Sequence, residues 1–166
     1  IGWVVVFAFR LIPFRPPNVE PVMATLMPFS KRYGAIVGFL FAFLSIFLFD
    51  LATSGIGMWT WITAAAYGAL GLWAYYYLRN KKGRARDFVT LSIFGTLVYD
   101  AVTGLSIGPL FFGQSFMEAL IGQIPFTVWH LAGNIAFSAI ISPALYKWVV
   151  QSEKLELSFL RAKFAK

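Results

Sequence analysis

Hydrophobic positions in this chain come in long runs, with no period-2 alternation and little helical amphipathicity. Met58–Leu78 and Phe88–Leu105 are unbroken apolar stretches long enough to cross most or all of a bilayer, which takes about 20 residues of helix. Gly34–Phe49, ending at Asp50, reads as another. The first run, Ile1–Ile12, closes at Arg10 and has the length of half a span; with no Met at its head, it reads as the remainder of a truncated first helix. Pro13-Phe-Arg-Pro-Pro17 cannot continue a helix. Asn18 then predicts an N-cap, with Glu20 and Pro21 in the first turn of a short helix over Val19–Ser30. That helix rises only about 18 Å, too little for a hydrocarbon core of about 30 Å, so it is either shielded inside the bundle or re-entrant. The last stretch, Gln114–Val150, exceeds one bilayer crossing. Pro125 is expected to divide it into a short segment, Ser115–Ile124, and a final span, Phe126–Val150.

The polar interruptions set the orientation. Arg79-Asn-Lys-Lys-Gly-Arg-Ala-Arg86 places five cations in eight residues between two apolar runs, the pattern of a loop retained on the cytoplasmic side. Six transmembrane helices with both termini inside leave only Arg10 and Arg15, of 14 Lys and Arg, on the outer face. A re-entrant second helix would move the N-terminus outside. The predicted architecture is therefore an all-α polytopic membrane protein. A six-helix domain occupies residues 1–150, and a basic cytoplasmic tail over 151–166 has the spacing of an amphipathic helix.

Composition agrees. The chain is 59% hydrophobic and 13% charged, against roughly a quarter charged in soluble domains. A net charge of +7 belongs to the inner loops under this topology, so no nucleic-acid partner is expected. With no cysteine and one histidine, no metal or other cofactor is expected, and nickel or cobalt cargo is disfavoured. There is no P-loop, HExxH or GxSxG motif, so enzymatic chemistry is not expected.

The candidate chemistry gathers on the side opposite the basic loop. Asp50 and Asp100 head a short echo, Phe49-Asp50-Leu-Ala-Thr53 and Tyr99-Asp100-Ala-Val-Thr103, each leading into a Ser/Gly-rich turn. Internal repeats of this kind frame binding sites in transporters, although helix C-termini can resemble one another by chance. Carboxylates facing lipid are costly, so both aspartates should face the bundle interior or its mouth. His130 and Asn134, four apart, share a helix face below Trp129. Trp59 and Trp61 fit either an interfacial belt or a stacking wall. Asn18, Asp50, Trp59, Trp61, Asp100 and Thr103 are therefore candidate substrate contacts, with Trp129, His130 and Asn134. Glu20 is as well explained by the helix dipole. Small residues mark close helix packing or a partner contact: Gly34 with Gly38, and Ala64 with Gly68.

The ordered set of motifs resembles a known family, the substrate-binding S components of energy-coupling factor (ECF) transporters. It comprises Arg10-Leu-Ile-Pro13, Pro17-Asn-Val-Glu-Pro21, Tyr33-Gly-Ala-Ile-Val-Gly38 and Trp59-x-Trp61. Tyr67-Gly-Ala-Leu-Gly-Leu72, the basic loop, Tyr99-Asp100 and Pro125-Phe-Thr-Val-Trp-His-Leu-Ala-Gly-Asn134 complete it. The resemblance implies a six-helix protein of a prokaryotic plasma membrane that binds a vitamin or similar micronutrient from outside. It implies partners as well, a transmembrane coupling subunit and a pair of ATPases. In that family the coupling surface uses small residues four apart on the first span, where this chain has Ala8 one turn after Val4. The residues alone also allow a non-transport assembly or sensor subunit engaging partners through its helices and basic loop. A small intramembrane enzyme using His130 with Asp50 or Asp100 is the third alternative.

Overall fold

A computed structural model describes residues 2–14 and 19–152, and every regular element among them is helical. The helices are α1 (Gly2–Arg10), α2 (Val22–Tyr33), α3 (Ala35–Ala52), α4 (Met58–Leu78), α5 (Ala85–Gly104), α6 (Ile107–Phe111) and α7 (Phe116–Leu145), closed by a π-helical turn over Tyr146–Val150. Among the described residues, three stretches are both long and apolar enough to cross a membrane: Ala35–Ala52, Ala85–Phe111 and Phe116–Val150. The protein is a membrane-embedded helical bundle. Helix α4 has the bounds expected from its apolar run and no charged residue. The expected Asn18 cap and the 153–166 part of the tail lie outside the described residues.

The short helix α2 is the centre of the fold. It packs against α1, α3, α4, α5 and α7, and Val22 through Pro28, with Ser30, are all buried. Shielding therefore accounts for its brevity. It begins three residues later than the sequence suggested, because Pro21 takes the N-cap position. Thr25 follows Pro21, its N–H and hydroxyl both donating to the Pro21 carbonyl at 2.9 Å. Glu20 is thereby left ahead of the helix.

At the far end of α2, Lys31 Nζ donates to the carbonyls of Leu78 and Lys81, each at 2.7 Å, and lies 5.4 Å from the Tyr146 ring. The two ends of α2 thus join Glu20 to the basic loop across one helix of 12 residues, about 18 Å. Replacing Lys31 with Met removes both charge-assisted bonds. Tryptic cleavage within 79–86 is expected to rise about tenfold, from the roughly 1.5–3 kcal/mol such bonds contribute. An unchanged cleavage rate would refute this anchoring role.

Helix α7 departs from the expected break. It runs unbroken through Pro125 and Pro143 for 30 residues. A proline removes one backbone bond while keeping a helical φ, and long membrane helices tolerate that loss. Its start is specified locally: Ser115 accepts from the Glu118 N–H at 3.2 Å, and Glu118 Oε2 accepts from the Ser115 N–H at 2.8 Å, a capping box.

Small residues act in a different pairing from the one their spacing suggested. Gly38 and Gly71 bring α3 and α4 together backbone to backbone; a Cβ on Gly38 would stand 2.8 Å from the Gly71 carbonyl oxygen. Gly68 lies under the Phe39 ring, and Ala64 is fully buried. Gly34 serves a turn instead: its φ of +101° lets the chain reverse between α2 and α3, and no atom lies within 4 Å of where its Cβ would be. Ala8 is exposed on α1, on the same outward face as Val4.

Candidate functional site

Helix α1 ends on Arg10, α3 ends just past Asp50, and α2 starts just after Glu20. Three termini therefore bring three charges together. Arg10 Nε lies 3.0 Å from Glu20 Oε2, and one terminal nitrogen lies 4.0 Å from Asp50 Oδ1. The other donates to the Ser45 carbonyl at 3.3 Å, and the guanidinium sits 3.9 Å over the Phe49 ring. Arg10, at the end of α1, is thus held both by α3 and by the segment leading into α2. Planar stacking together with forked hydrogen bonding is what arginine offers and lysine does not.

The Asp50 carboxylate is also tied to the start of α4. Thr60 donates to its Oδ2 at 2.8 Å while accepting the Gly57 N–H at 3.2 Å. Between these groups lies a cavity of about 230 Å³ lined by Arg10, Glu20, Ile46, Asp50, Trp59, Thr63 and Tyr99. Its wall is mixed: two carboxylates, a guanidinium and a hydroxyl, with an indole and a phenol ring.

Behind Tyr99 sits a second cluster on α4, α5 and α7. His130 Nδ1 is 2.7 Å from Asp100 Oδ1, and its Nε2 is 3.4 Å from the Tyr67 hydroxyl. The tautomer with its proton on Nδ1 satisfies both contacts, donating to Asp100 and accepting from Tyr67. The Tyr67 and Tyr99 rings lie 4.4 Å apart, and His130 meets Tyr99 edge-on at 5.7 Å. One turn further along, Asn134 donates to Thr96 Oγ1 at 2.8 Å. Tyr99 both lines the cavity and meets His130, so the two clusters adjoin.

The echo between the two aspartates has a structural counterpart. Thr53 donates to the Phe49 carbonyl at 2.7 Å and Thr103 to the Tyr99 carbonyl at 2.8 Å. Asp50 and Asp100 are both buried. Each copy thus turns its aspartate inward while its threonine is absorbed by the helix backbone, so Thr103 is occupied locally.

Of the residues singled out from the sequence, Asp50, Trp59, Asp100, His130 and Asn134 come together here. Trp61 packs on Phe43 and Phe47 along α3, at ring distances of 6.4 and 5.2 Å. Trp129 is 56% exposed and does not line this cavity. Asn18 is outside the described residues. From the sequence, Arg10 marks topology and one motif of the set, and Glu20 is as well explained by the helix dipole as by a role in a site. A cation at the edge of an apolar run needs a carboxylate partner, and that signal pointed to both.

A polar cavity among buried charges, set in a bundle of apolar helices, defines the class: a membrane-embedded helical protein. The chain is 31% identical over 141 residues to a UPF0397 protein of Aliivibrio salmonicida, covering 80% of this chain and 74% of that one. It is 28% identical over 155 residues to a UPF0397 protein of Vibrio atlanticus, covering 88% and 82%. The chain belongs to the UPF0397 protein family. No family model matches it, and no solved structure does.

Proposed function

We propose that this protein is the substrate-binding S component of an ECF-type transporter, capturing a vitamin or related micronutrient at the outer face of a prokaryotic plasma membrane. The observation that carries the reading is the polar, aromatic-walled cavity at one end of α2, with the basic loop at the other. Cationic loops stay in the cytoplasm, which favours the outer side for the cavity. Six spans with both termini inside remain the orientation that best satisfies this asymmetry, with α2 as the short second span. Delivery would require a transmembrane coupling subunit and a pair of ATPases, and ATP hydrolysis would belong to those partners. The outward pair Val4 and Ala8 on α1 is the stretch offered to the coupling subunit. The motif order supports the reading.

In this cavity a flat ring would stack against Trp59 while Asp50, Glu20 and Arg10 fix its polar edges, the usual division of labour in small-molecule sites. Native mass spectrometry of the gently purified protein tests the proposal: a copurifying metabolite of vitamin size supports it and names the cargo. An empty protein that also ignores a micronutrient panel moves the reading to an assembly or sensor subunit. With the ligand in hand, Trp59→Ala is expected to weaken binding about tenfold, the stacking contribution of one aromatic being about 0.5–1.5 kcal/mol beyond area burial. Trp129→Ala should leave binding within twofold. The reverse ranking would move the site to the exposed face of α7.

A further inference from the structure

Donors and acceptors are unevenly divided around the polar cavity, and the imbalance selects a ligand. Arg10, the cation among the described lining residues, is already engaged: its guanidinium reaches Glu20 at 3.0 Å, donates to the Ser45 carbonyl at 3.3 Å and covers the Phe49 ring. The Asp50 carboxylate is less fully used. Its Oδ2 accepts from Thr60, but Oδ1 has only Arg10 at 4.0 Å, beyond hydrogen-bond reach. Oδ1 is not sealed in, so its lone pairs are open to a donor entering the cavity.

The rest of the wall points the same way. The Thr63 hydroxyl donates to the Trp59 carbonyl at 2.8 Å, which leaves its oxygen able to accept. The Tyr99 hydroxyl makes no hydrogen bond among the described residues and keeps accessible surface. An acidic ligand would set its charge against both Asp50 and Glu20, a costly arrangement. The Trp59 ring rests against Gly57, where any side chain would displace it, and offers a flat wall whose face attracts cations. The space, about 230 Å³, falls below the usual range of about 300–1,000 Å³. It equals about eight waters at about 30 Å³ each, room for one ring with a short substituent.

We propose that the ligand of this cavity is a single planar ring carrying an amino or amidinium group and no acid group, its N–H donating to Asp50 Oδ1 and its ring stacked on Trp59. The inference rests on the cavity being the binding site of the transport reading, and it narrows the cargo to small amino compounds.

Benzamidine is the probe, titrated calorimetrically into the full chain in non-ionic detergent at neutral pH, with benzoate and benzyl alcohol as controls. Saturable binding of benzamidine is expected, with both controls at least about tenfold weaker, as the loss of a charged hydrogen bond implies. Asp50→Asn should weaken benzamidine by about tenfold or more. Thr63 donates only to carbonyls of its own helix, those of Trp59 and Thr60, so Thr63→Phe should fill the cavity and abolish binding with the fold intact. That variant keeps the test decisive should Asp50→Asn fail to fold. Absence of saturable binding, benzoate binding as tightly as benzamidine, or binding that survives Thr63→Phe would overturn the assignment. The two readings fail separately. An acidic metabolite copurifying in this cavity would keep the transporter and sink the amino class, whereas benzamidine binding by a protein that takes no micronutrient would do the reverse.

Discussion

Arg10→Ala is expected to lower the unfolding free energy by about 3 kcal/mol, read from chemical denaturation in detergent. The guanidinium is the contact shared by Glu20, Asp50, the Ser45 carbonyl and the Phe49 ring. Removing one partner of a buried charge pair leaves the other charge desolvated, which costs about 3–5 kcal/mol in fully buried cases; the slight exposure here favours the lower figure. Arg10→Lys should recover only part of the loss, since an ammonium cannot fork between two acceptors while stacking on Phe49. Adding Glu20→Gln to Arg10→Ala should restore more than half, because it removes the stranded charge. An alanine variant within about 0.5 kcal/mol of the parent would show that the cluster is a solvated surface group, and the candidate site would lose its organising residue.

Gly71→Leu should be at least as damaging, for a reason of packing. A Cβ at Gly71 would press on the Gly38 carbonyl group and the Phe39 nitrogen, which are backbone atoms and cannot swing aside. Helices α3 and α4, the most extensively packed pair, must then separate, and overpacking of this kind costs about 3 kcal/mol. The Asp50–Thr60 bond crosses the same interface, so ligand binding should fall with stability. Gly122→Ala is the matched control: nothing lies within 4 Å of its Cβ position, and it should stabilise the protein by about 0.5–1 kcal/mol through helix propensity. Equal melting temperatures for Gly71→Leu and the parent would refute the close-approach argument.

Runs of apolar residues were sufficient to locate α3, α4 and α5, because a helix in lipid must satisfy its backbone internally and be apolar over its length. The basic block likewise read as a loop, and the short segment expected from Ser115 begins where α7 does. Pro125 was misleading, since whether a proline breaks a long helix depends on the contacts around it. Gly34 and Gly38 show the same limit: their four-residue spacing suggested a shared packing face, yet one makes a turn and the other meets Gly71, 33 positions away in the chain.

The site divides along similar lines. The inward placement of Asp50 and Asp100 followed from the cost of exposing them to lipid, and the shared face of His130 and Asn134 from their spacing, arguments that need no coordinates. Their partners did not. That Arg10 closes on Glu20 and Asp50, that Asp100 holds His130 against Tyr67, and that Trp59 lines the polar cavity while Trp61 and Trp129 do not all depend on the rotation of each helix about its axis. In a chain so uniformly apolar, the helix faces differ little in hydrophobicity, so the sequence by itself determined which segments are helices, where their charged ends lie and that their polar residues turn inward. Only the tertiary structure decided which of those residues meet, because packing of small residues and pairing of buried charges set the rotations together.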